Sequence, residues 1–369
     1  MKYKIVIAGG HLTPALAVIE ELQKRNNWEI FYFGRPFSTE GDKTPSLESK
    51  IIKDKGVKLI TINFGRLQHN FTRYSLWAFL RIPWGFTLSF IHLIRLRPDL
   101  ILSFGSYVGV TVVMAAWVLG IPVVIHEQTT VVGLANKVSS TLAKKILISW
   151  SQTLKTFPEQ KTVLTGNPLR SEIFQSKAKI WKAFNFEAKL PLILVTGGNQ
   201  GSHRINVAVE GILLKLLRQY NVFHQTGHLQ SFGDYSRLLK TKEKLPADLK
   251  KRYQLRKYLT GEEWGTILNK ADLVVSRAGI NTISELLALG KPQLLIPIPW
   301  LPKDEQGQNA QMVKNEGLGE ILPQEDLTPE NLFLKIEKMM KNLKKYQPKT
   351  KQINLKASFK IVNELEKMV

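Results

Sequence analysis

Short apolar runs alternate with amphipathic stretches along this chain, and the rhythm twice opens on a strand that ends in clustered glycines. Runs at 4–7, 29–33, 58–62, 100–103, 122–125 and 145–148 have the length and apolar character of strands. Between several of them lie stretches of helical period, such as 14–24 and 110–119. Parallel strands buried on both faces read as near-continuous apolar runs and need helical crossovers, so the pattern calls for a parallel sheet covered by helices. The rhythm restarts at 190–196 and passes through Gly197-Gly198-Asn199-Gln200-Gly201-Ser202 into a helical run ending near 218. It continues at 222–225, 273–276 and 293–296. Two such openings, near 9 and near 197, predict an α/β protein with two doubly wound units. With 369 residues, 44% of them hydrophobic, the chain is long enough for its core to split in this way. The expected domains are 1–165 and 166–351, and the last helical stretch, 352–369, can pack back on the first.

The first glycine loop, Ala8-Gly9-Gly10-His11-Leu12-Thr13-Pro14, closes a strand and opens a helix. Glycine lets a ligand approach the backbone there, and the helix N-terminus favours negative charge. The loop is not the G-x-G-x-x-G dinucleotide fingerprint, and no acidic residue suited to a ribose closes the second strand. His11 at its tip can act as a general base near neutral pH, or it can cap the loop by bonding backbone carbonyls. In the second loop, Asn199 and Gln200 can bond hydroxyls or phosphate oxygens, although a double-glycine turn can also be purely structural.

A third strand-to-helix entry runs Val274-Val275-Ser276-Arg277-Ala278-Gly279 into Ile280-Asn281-Thr282-Ile283-Ser284-Glu285. Its first turn offers backbone N–H groups suited to a diphosphate. Glu285, about one turn on, can accept hydrogen bonds from a ribose diol or simply complement the helix dipole. Pro299-Trp300-Leu301-Pro302-Lys303-Asp304-Glu305-Gln306 follows the next strand and would return to the same crevice.

Taken in order, these pieces resemble the MurG family of membrane-associated N-acetylglucosaminyltransferases of peptidoglycan synthesis. The resemblance rests on Gly9-Gly10-His11 with Pro14-Ala15-Leu16-Ala17, Phe104-Gly105-Ser106-Tyr107-Val108, and Gly120 through Pro122 to His126-Glu127-Gln128. It continues through Thr165-Gly166-Asn167-Pro168-Leu169-Arg170, Gly197-Gly198-Asn199-Gln200-Gly201, Ser276-Arg277-Ala278-Gly279 and Asp304-Glu305-Gln306. It implies the GT-B fold, two Rossmann-like domains facing across a cleft. It also implies inverting transfer of N-acetylglucosamine from UDP-GlcNAc to the C4 hydroxyl of the muramyl sugar of lipid I, giving lipid II. No cofactor and no protein-bound metal are implied.

Carried over residue by residue, Gly9 and Gly10 fall in the acceptor loop, with His11 the candidate base. Tyr107, Glu127 and Thr129 lie in neighbouring acceptor segments. Arg170, Asn199, Ile280, Asn281, Thr282, Ile283, Ser284, Glu285 and Gln306 match donor contacts. The sequence also departs from the family. Its first loop lacks several residues of the longer Gly-Gly-Thr-Gly-Gly-His form, Thr129 stands in place of an asparagine, and Asn199 in place of a serine. The alternatives are another lipid-directed UDP-sugar transferase of the same fold, a UDP-GlcNAc 2-epimerase, or a non-catalytic sugar-nucleotide-binding protein.

The charge balance, 52 Lys+Arg against 30 Asp+Glu, favours polyanionic partners. Nucleic acid is not expected, since no helix-turn-helix, zinc or RNA-recognition signature is present. Apolar, aromatic and basic residues interleave from Phe71 through Arg73, Trp77, Phe79, Arg81 and Trp84 to Arg95. That is the pattern of a segment lying on an anionic membrane surface, though a buried helix pair with snorkelling arginines or a stacking platform for single-stranded nucleic acid would read similarly. No run reaches the roughly 18–20 apolar residues of a spanning helix. Gly9 and Gly10 interrupt the first apolar run, so no signal-peptide core is read. The expected location is peripheral, on the cytoplasmic face of the membrane. Cysteine is absent, which excludes disulfides, thiol catalysis and cysteine-ligated zinc.

Overall fold

The computed structural model describes residues 2–34, 47–62, 73–228, 231–348 and 355–369; for 47–50 and 73–82 it describes the backbone only. The chain forms two compact units, one of residues 1–170 with 354–369 and the other of 171–353. Thr165 through Arg170 therefore stay with the first unit.

In chain order the first unit comprises β1 (Tyr3–Ala8), α1 (Leu12–Arg25), β2 (Trp28–Gly34), α2 (Leu47–Asp54), β3 (Lys58–Thr61) and α3 (Arg73–Leu96). Then come β4 (Leu100–Ser103), α4 (Ser106–Val118), β5 (Val123–Glu127), α5 (Leu134–Leu142), β6 (Lys145–Ile148) and β7 (Thr162–Leu164). All pairings are parallel, in the order β3-β2-β1-β4-β5-β6-β7. Alternation along β1 divides the core. Ile5 and Ile7 join the cluster holding Leu16, Ile19 and Leu22 of α1, while Val6 and Ala8 join Leu93 of α3 and Val112 of α4. Burial on both faces is why this strand is apolar without a break.

The second unit comprises α6 (Ala178–Ala183), β8 (Leu192–Thr196), α7 (His203–Leu217), β9 (Asn221–Gln225), α8 (Asp234–Glu243), α9 (Ala247–Lys251) and β10 (Tyr253–Arg256). It continues with α10 (Gly261–Lys270), β11 (Leu273–Ser276), α11 (Ile280–Ala288), β12 (Gln293–Leu295), α12 (Glu305–Asn315), β13 (Gly319–Ile321) and α13 (Pro329–Lys341). Its sheet, also parallel, runs β10-β9-β8-β11-β12-β13. The last helix, α14 (Ala357–Glu366), lies on the first unit. Ile361, Val362 and Leu365 enter the core beside α1, Arg25 donates to Asn363 at 2.7 Å, and Lys145 pairs with Glu364 at 2.6 Å.

Each sheet reverses its winding direction once, between β1 and β4 in the first unit and between β8 and β11 in the second. At such a point consecutive crossovers leave in opposite directions and open a crevice at the carboxyl ends of the strands. The first two glycine loops follow β1 and β8, the strands on one side of each reversal. In the second unit the crevice is built by backbone contact. Gly201 has φ +86°, and a Cβ there would lie 1.9 Å from the Thr226 carbonyl oxygen. Gly201→Ala is expected to lower stability by at least about 2 kcal/mol, combining left-handed strain with a backbone clash. Gly290→Ala, at φ +63° with nothing within 4 Å of the added carbon, should lose only about 1 kcal/mol. Denaturant unfolding of the two variants checks the difference.

Candidate active site

In the first unit the glycine loop is locked from two sides. Gly9 has φ +132°, and a Cβ there would sit 2.9 Å from the Gly105 carbonyl oxygen, so β1 and β4 end in close backbone contact. Tyr32, buried on β2, donates its hydroxyl to the Gly9 carbonyl at 3.0 Å. Gly10 in turn faces Ser106. His11, half-buried, places Nδ1 3.0 Å from the Phe104 carbonyl oxygen. A carbonyl only accepts, so Nδ1 carries the hydrogen in this contact. The contact matches the reading of His11 as a cap on a backbone carbonyl, and it selects the tautomer that a base acting through Nε2 would use. Ser106, first residue of α4, is left-handed at φ 64°, a strained conformation for a residue other than glycine. Tyr107 beside it is half-buried against the core under α3 and α4.

The acceptor segment after β5 has a different character from the one expected. Glu127 is buried and accepts four hydrogen bonds. They come from the Thr129 amide (2.9 Å), the Thr129 hydroxyl (2.6 Å), the Gly133 amide (3.3 Å) and Asn136 Nδ2 (3.0 Å). With its lone pairs engaged and water excluded, it braces the β5–α5 loop and is not positioned as a proton acceptor. Thr129 is committed to the same brace. His126 is fully buried, with Nε2 3.3 Å from the Gly166 carbonyl, and burial above all pulls its pKa down to about 4.

In the second unit α11 starts at Gly279 with no side chain capping it. Ile280 and Ile283 are buried, Asn281 and Thr282 half-buried. Ser284 turns its hydroxyl back to the Ile280 carbonyl at 2.7 Å. Glu285 is 2% exposed and accepts from Trp264 Nε1 at 2.6 Å. Gln306 accepts the Ile298 amide at 3.0 Å, and Asn309 donates to the Ala278 carbonyl at 3.1 Å, tying the β12–α12 loop to the turn after β11. Asn199 is exposed at the end of β8, its carbonyl accepting the His228 amide at 3.0 Å. Arg170 is half-buried at the end of the first unit.

Sequence reasoning did not single out Tyr32, Trp264 or Asn309, which read as ordinary core or helix-face residues. Arg277 was quoted only as part of a motif. It is buried, donating to the Ile296 carbonyl at 3.0 Å and to Gln324 Oε1 at 2.6 Å, all neutral acceptors. Burial, and then the Arg204 guanidinium, brings its pKa down to about 10, so it remains charged at neutral pH.

Of the basic aromatic stretch, Phe71 lies outside the described residues, as do the side chains of Arg73, Trp77, Phe79 and Arg81. The stretch forms one helix, α3, with Pro83 inside it, and not a helix pair. Leu93 of α3 is buried and Phe86 and Phe90 pack on the core, whereas Trp84, Ile91, Ile94 and Arg95 are exposed. The neighbouring α4 exposes Met114, Trp117 and Val118, so two tryptophans 59% exposed lie on this adjoining pair of helices. Among the described residues no helix is long and apolar enough to cross a membrane.

Comparison with known proteins matches residues 8–148 to the glycosyltransferase family 28 N-terminal domain and residues 192–365 to the glycosyltransferase family 28 C-terminal domain. The chain is 33% identical over 365 residues, 97% of each sequence, to a UDP-N-acetylglucosamine--N-acetylmuramyl-(pentapeptide) pyrophosphoryl-undecaprenol N-acetylglucosamine transferase 2 of Bacillus cereus. The corresponding transferase of Pediococcus pentosaceus is 35% identical over 339 residues, 90% of this chain and 88% of that one. Among solved structures, MurG of Acinetobacter baumannii superposes over the whole of both chains with a TM-score of 0.65 at 26% identity.

Two buried histidines give the fold a pH dependence. Burial depresses His126 to about 4 and His224 to about 3 from an ordinary 6.5. Below about pH 6.5 the unfolded chain binds protons that the folded chain refuses. Their stability contribution is therefore complete above that pH and is lost as pH falls toward 4, at up to about 1.4 kcal/mol per pH unit for each residue. Thermal melts between pH 7 and 4 should show this decline, and a shallower one in His224→Gln.

Proposed function

Because the chain belongs to the MurG family within glycosyltransferase family 28, we propose that it transfers N-acetylglucosamine from UDP-GlcNAc to the C4 hydroxyl of the muramyl sugar of lipid I, forming lipid II. The observation that carries this reading is end-to-end similarity to transferases of that name, joined to a base-competent His11 on the loop that the family uses for its acceptor.

In the proposed step, His11 Nε2 takes the proton of the acceptor hydroxyl as its oxygen attacks the anomeric carbon from the face opposite the leaving group. The bond from that carbon to the UDP oxygen breaks, the electron pair departs on the β-phosphate, and the configuration inverts. Negative charge on the departing UDP is met by the N-terminal amides of α11, donors that the helix holds in place during the reaction, and the family resemblance assigns Arg170 to the donor as well. With those donors present, the step is written without a protein-bound metal ion. Glu285 accepts from the ribose diol, Gln306 contacts the donor sugar, and Asn199 borders the diphosphate. Arg277 acts at one remove, holding the end of β12 from which the Gln306 loop departs.

The deciding experiment is incubation with labelled UDP-GlcNAc and a lipid I analogue, with and without EDTA. Lipid II should form equally in both. UDP-GlcNAc binding without transfer to this acceptor would favour a different lipid-linked acceptor. His11→Ala should lower kcat by about 10²- to 10⁴-fold while leaving donor affinity unchanged; an unaltered kcat would reduce His11 to a loop brace.

For location, we propose peripheral attachment to the cytoplasmic face of the membrane, where a lipid-linked acceptor is presented. The support is the exposed Trp84, Ile91, Ile94 and Arg95 of α3 beside Trp117 of α4, with apolar groups for the headgroup boundary and cations for anionic lipid. Trp84→Ala combined with Trp117→Ala and Arg95→Glu should weaken binding to anionic vesicles by at least about tenfold. Undiminished sedimentation with vesicles would remove this face from the membrane contact.

A further inference from the structure

One face of the first sheet is covered by helices that hold no carboxylate. Leu93 of α3, Val112 of α4 and Leu142 of α5 pack on the same side, and the sequences of these three helices contain no Asp or Glu. The helices of the other side all do: Glu20 and Glu21 in α1, Asp54 in α2, Glu364 and Glu366 in α14. A helix that only covers a sheet turns polar residues outward. Here α4 has no charged residue at all and exposes Met114 and Trp117. Packed beside it, α5 exposes Leu134 and Val138 with Lys137 between them.

Leu134, 77% exposed, is the most exposed large apolar side chain among the described residues, and it opens α5 directly after the β5–α5 loop. Its position is fixed from both sides. Glu127 accepts the Gly133 amide at 3.3 Å and Asn136 Nδ2 at 3.0 Å, and Asn136 also donates to the His126 carbonyl at 3.1 Å. The buried carboxylate therefore holds in place a turn whose outward residue is a bare leucine. Val138 lies one turn further along the same face. The neighbouring α4 starts at the glycine turn after β4 and runs away from the crevice for about 20 Å, with Met114 and Trp117 on its outer side.

We propose that the outer sides of α4 and α5 guide the isoprenoid chain of the lipid-linked acceptor, which meets Leu134 and Val138 beside the β5–α5 loop and runs past Met114 toward Trp117. The inference rests on the reading of this protein as a transferase with a lipid-linked acceptor, and it names the part of the acceptor that this surface takes. A carrier lipid that brings its sugar to the crevice has to lift its first isoprene units out of the bilayer. Hydrocarbon so exposed to water is unfavourable in proportion to its area, and an apolar wall beside the loop removes that cost. The lack of carboxylates suits the same ligand, since the chain ends in a diphosphate that a nearby acid would repel. The role is distinct from membrane attachment, for which α3 supplies most of the exposed residues.

The test measures transfer by the full chain to two acceptors that share sugar, peptide and diphosphate, one on a long polyprenyl chain and one on a short, water-soluble prenyl chain. Leu134→Ser combined with Val138→Ser replaces two exposed residues and leaves the core intact. This variant should raise KM for the long-chain acceptor by about fivefold or more, and far more than for the short-chain one. Its kcat and its KM for UDP-GlcNAc should change little, and it should still sediment with anionic vesicles. Leu134→Met combined with Val138→Ile keeps the surface apolar and should behave as the wild type. An unchanged KM for the long-chain acceptor, or an equal rise for both acceptors, would overturn the guiding role. So would a loss of vesicle binding that matches the rise in KM, which would assign the two residues to the bilayer. A wild type that transfers to neither acceptor would instead overturn the reading of the reaction itself.

Discussion

Both units of this protein depend on close backbone packing where the winding of the sheet reverses. At the end of β1, Gly9 lies against the backbone of Phe104 and Gly105; at the end of β8, Gly201 lies against Thr226 and Gly227. No other residue fits, because a β-carbon would collide with a carbonyl oxygen or amide. The closeness has a chemical result. It brings the Phe104 carbonyl within reach of His11 Nδ1, a contact that calls for the hydrogen on that nitrogen.

Around these points the buried charges are treated in two ways. Some are fully enclosed by donors and serve the scaffold. Glu127 gathers the β5–α5 loop, and Asp234 collects His203, Asn206 and Arg237 at 2.7, 2.8 and 2.7 Å. Asn206 in turn accepts from His224, whose other nitrogen meets the Tyr253 hydroxyl, so a continuous polar chain joins α7, β9, β10 and α8. Arg277 instead rests on neutral acceptors, backbone carbonyls and the Gln324 side-chain oxygen, and keeps its charge at neutral pH. Glu285 accepts from the Trp264 indole.

The surface of the first unit shows a comparable division within one helix. Leu93 of α3 is buried, while Trp84, Ile91 and Ile94 on the same helix face water with Arg95 among them. An amphipathic helix that only covered a sheet would put polar residues on its outer side. This outer side is apolar and cationic, which accounts for a pattern that sequence reading could assign equally to core or to membrane surface.

The two-unit α/β architecture, its central strands, the three glycine-bearing turns and the family were legible in the sequence, because burial on both faces, helical period and chain-reversing glycines are local signals. The strands that escaped notice, β7, β10 and β13, all lie at sheet edges and have only three or four residues each. A half-covered edge needs no continuous apolar run, so it leaves little trace in composition. The packing of α14 on the first unit, the enclosure of Glu127, the return of the Ser284 hydroxyl to its own helix and the pairing of Trp264 with Glu285 were decided only by tertiary structure. A local pattern specifies which way a residue faces; which group waits there is set by segments far away in the chain, and for a buried polar atom the partner decides what it can do.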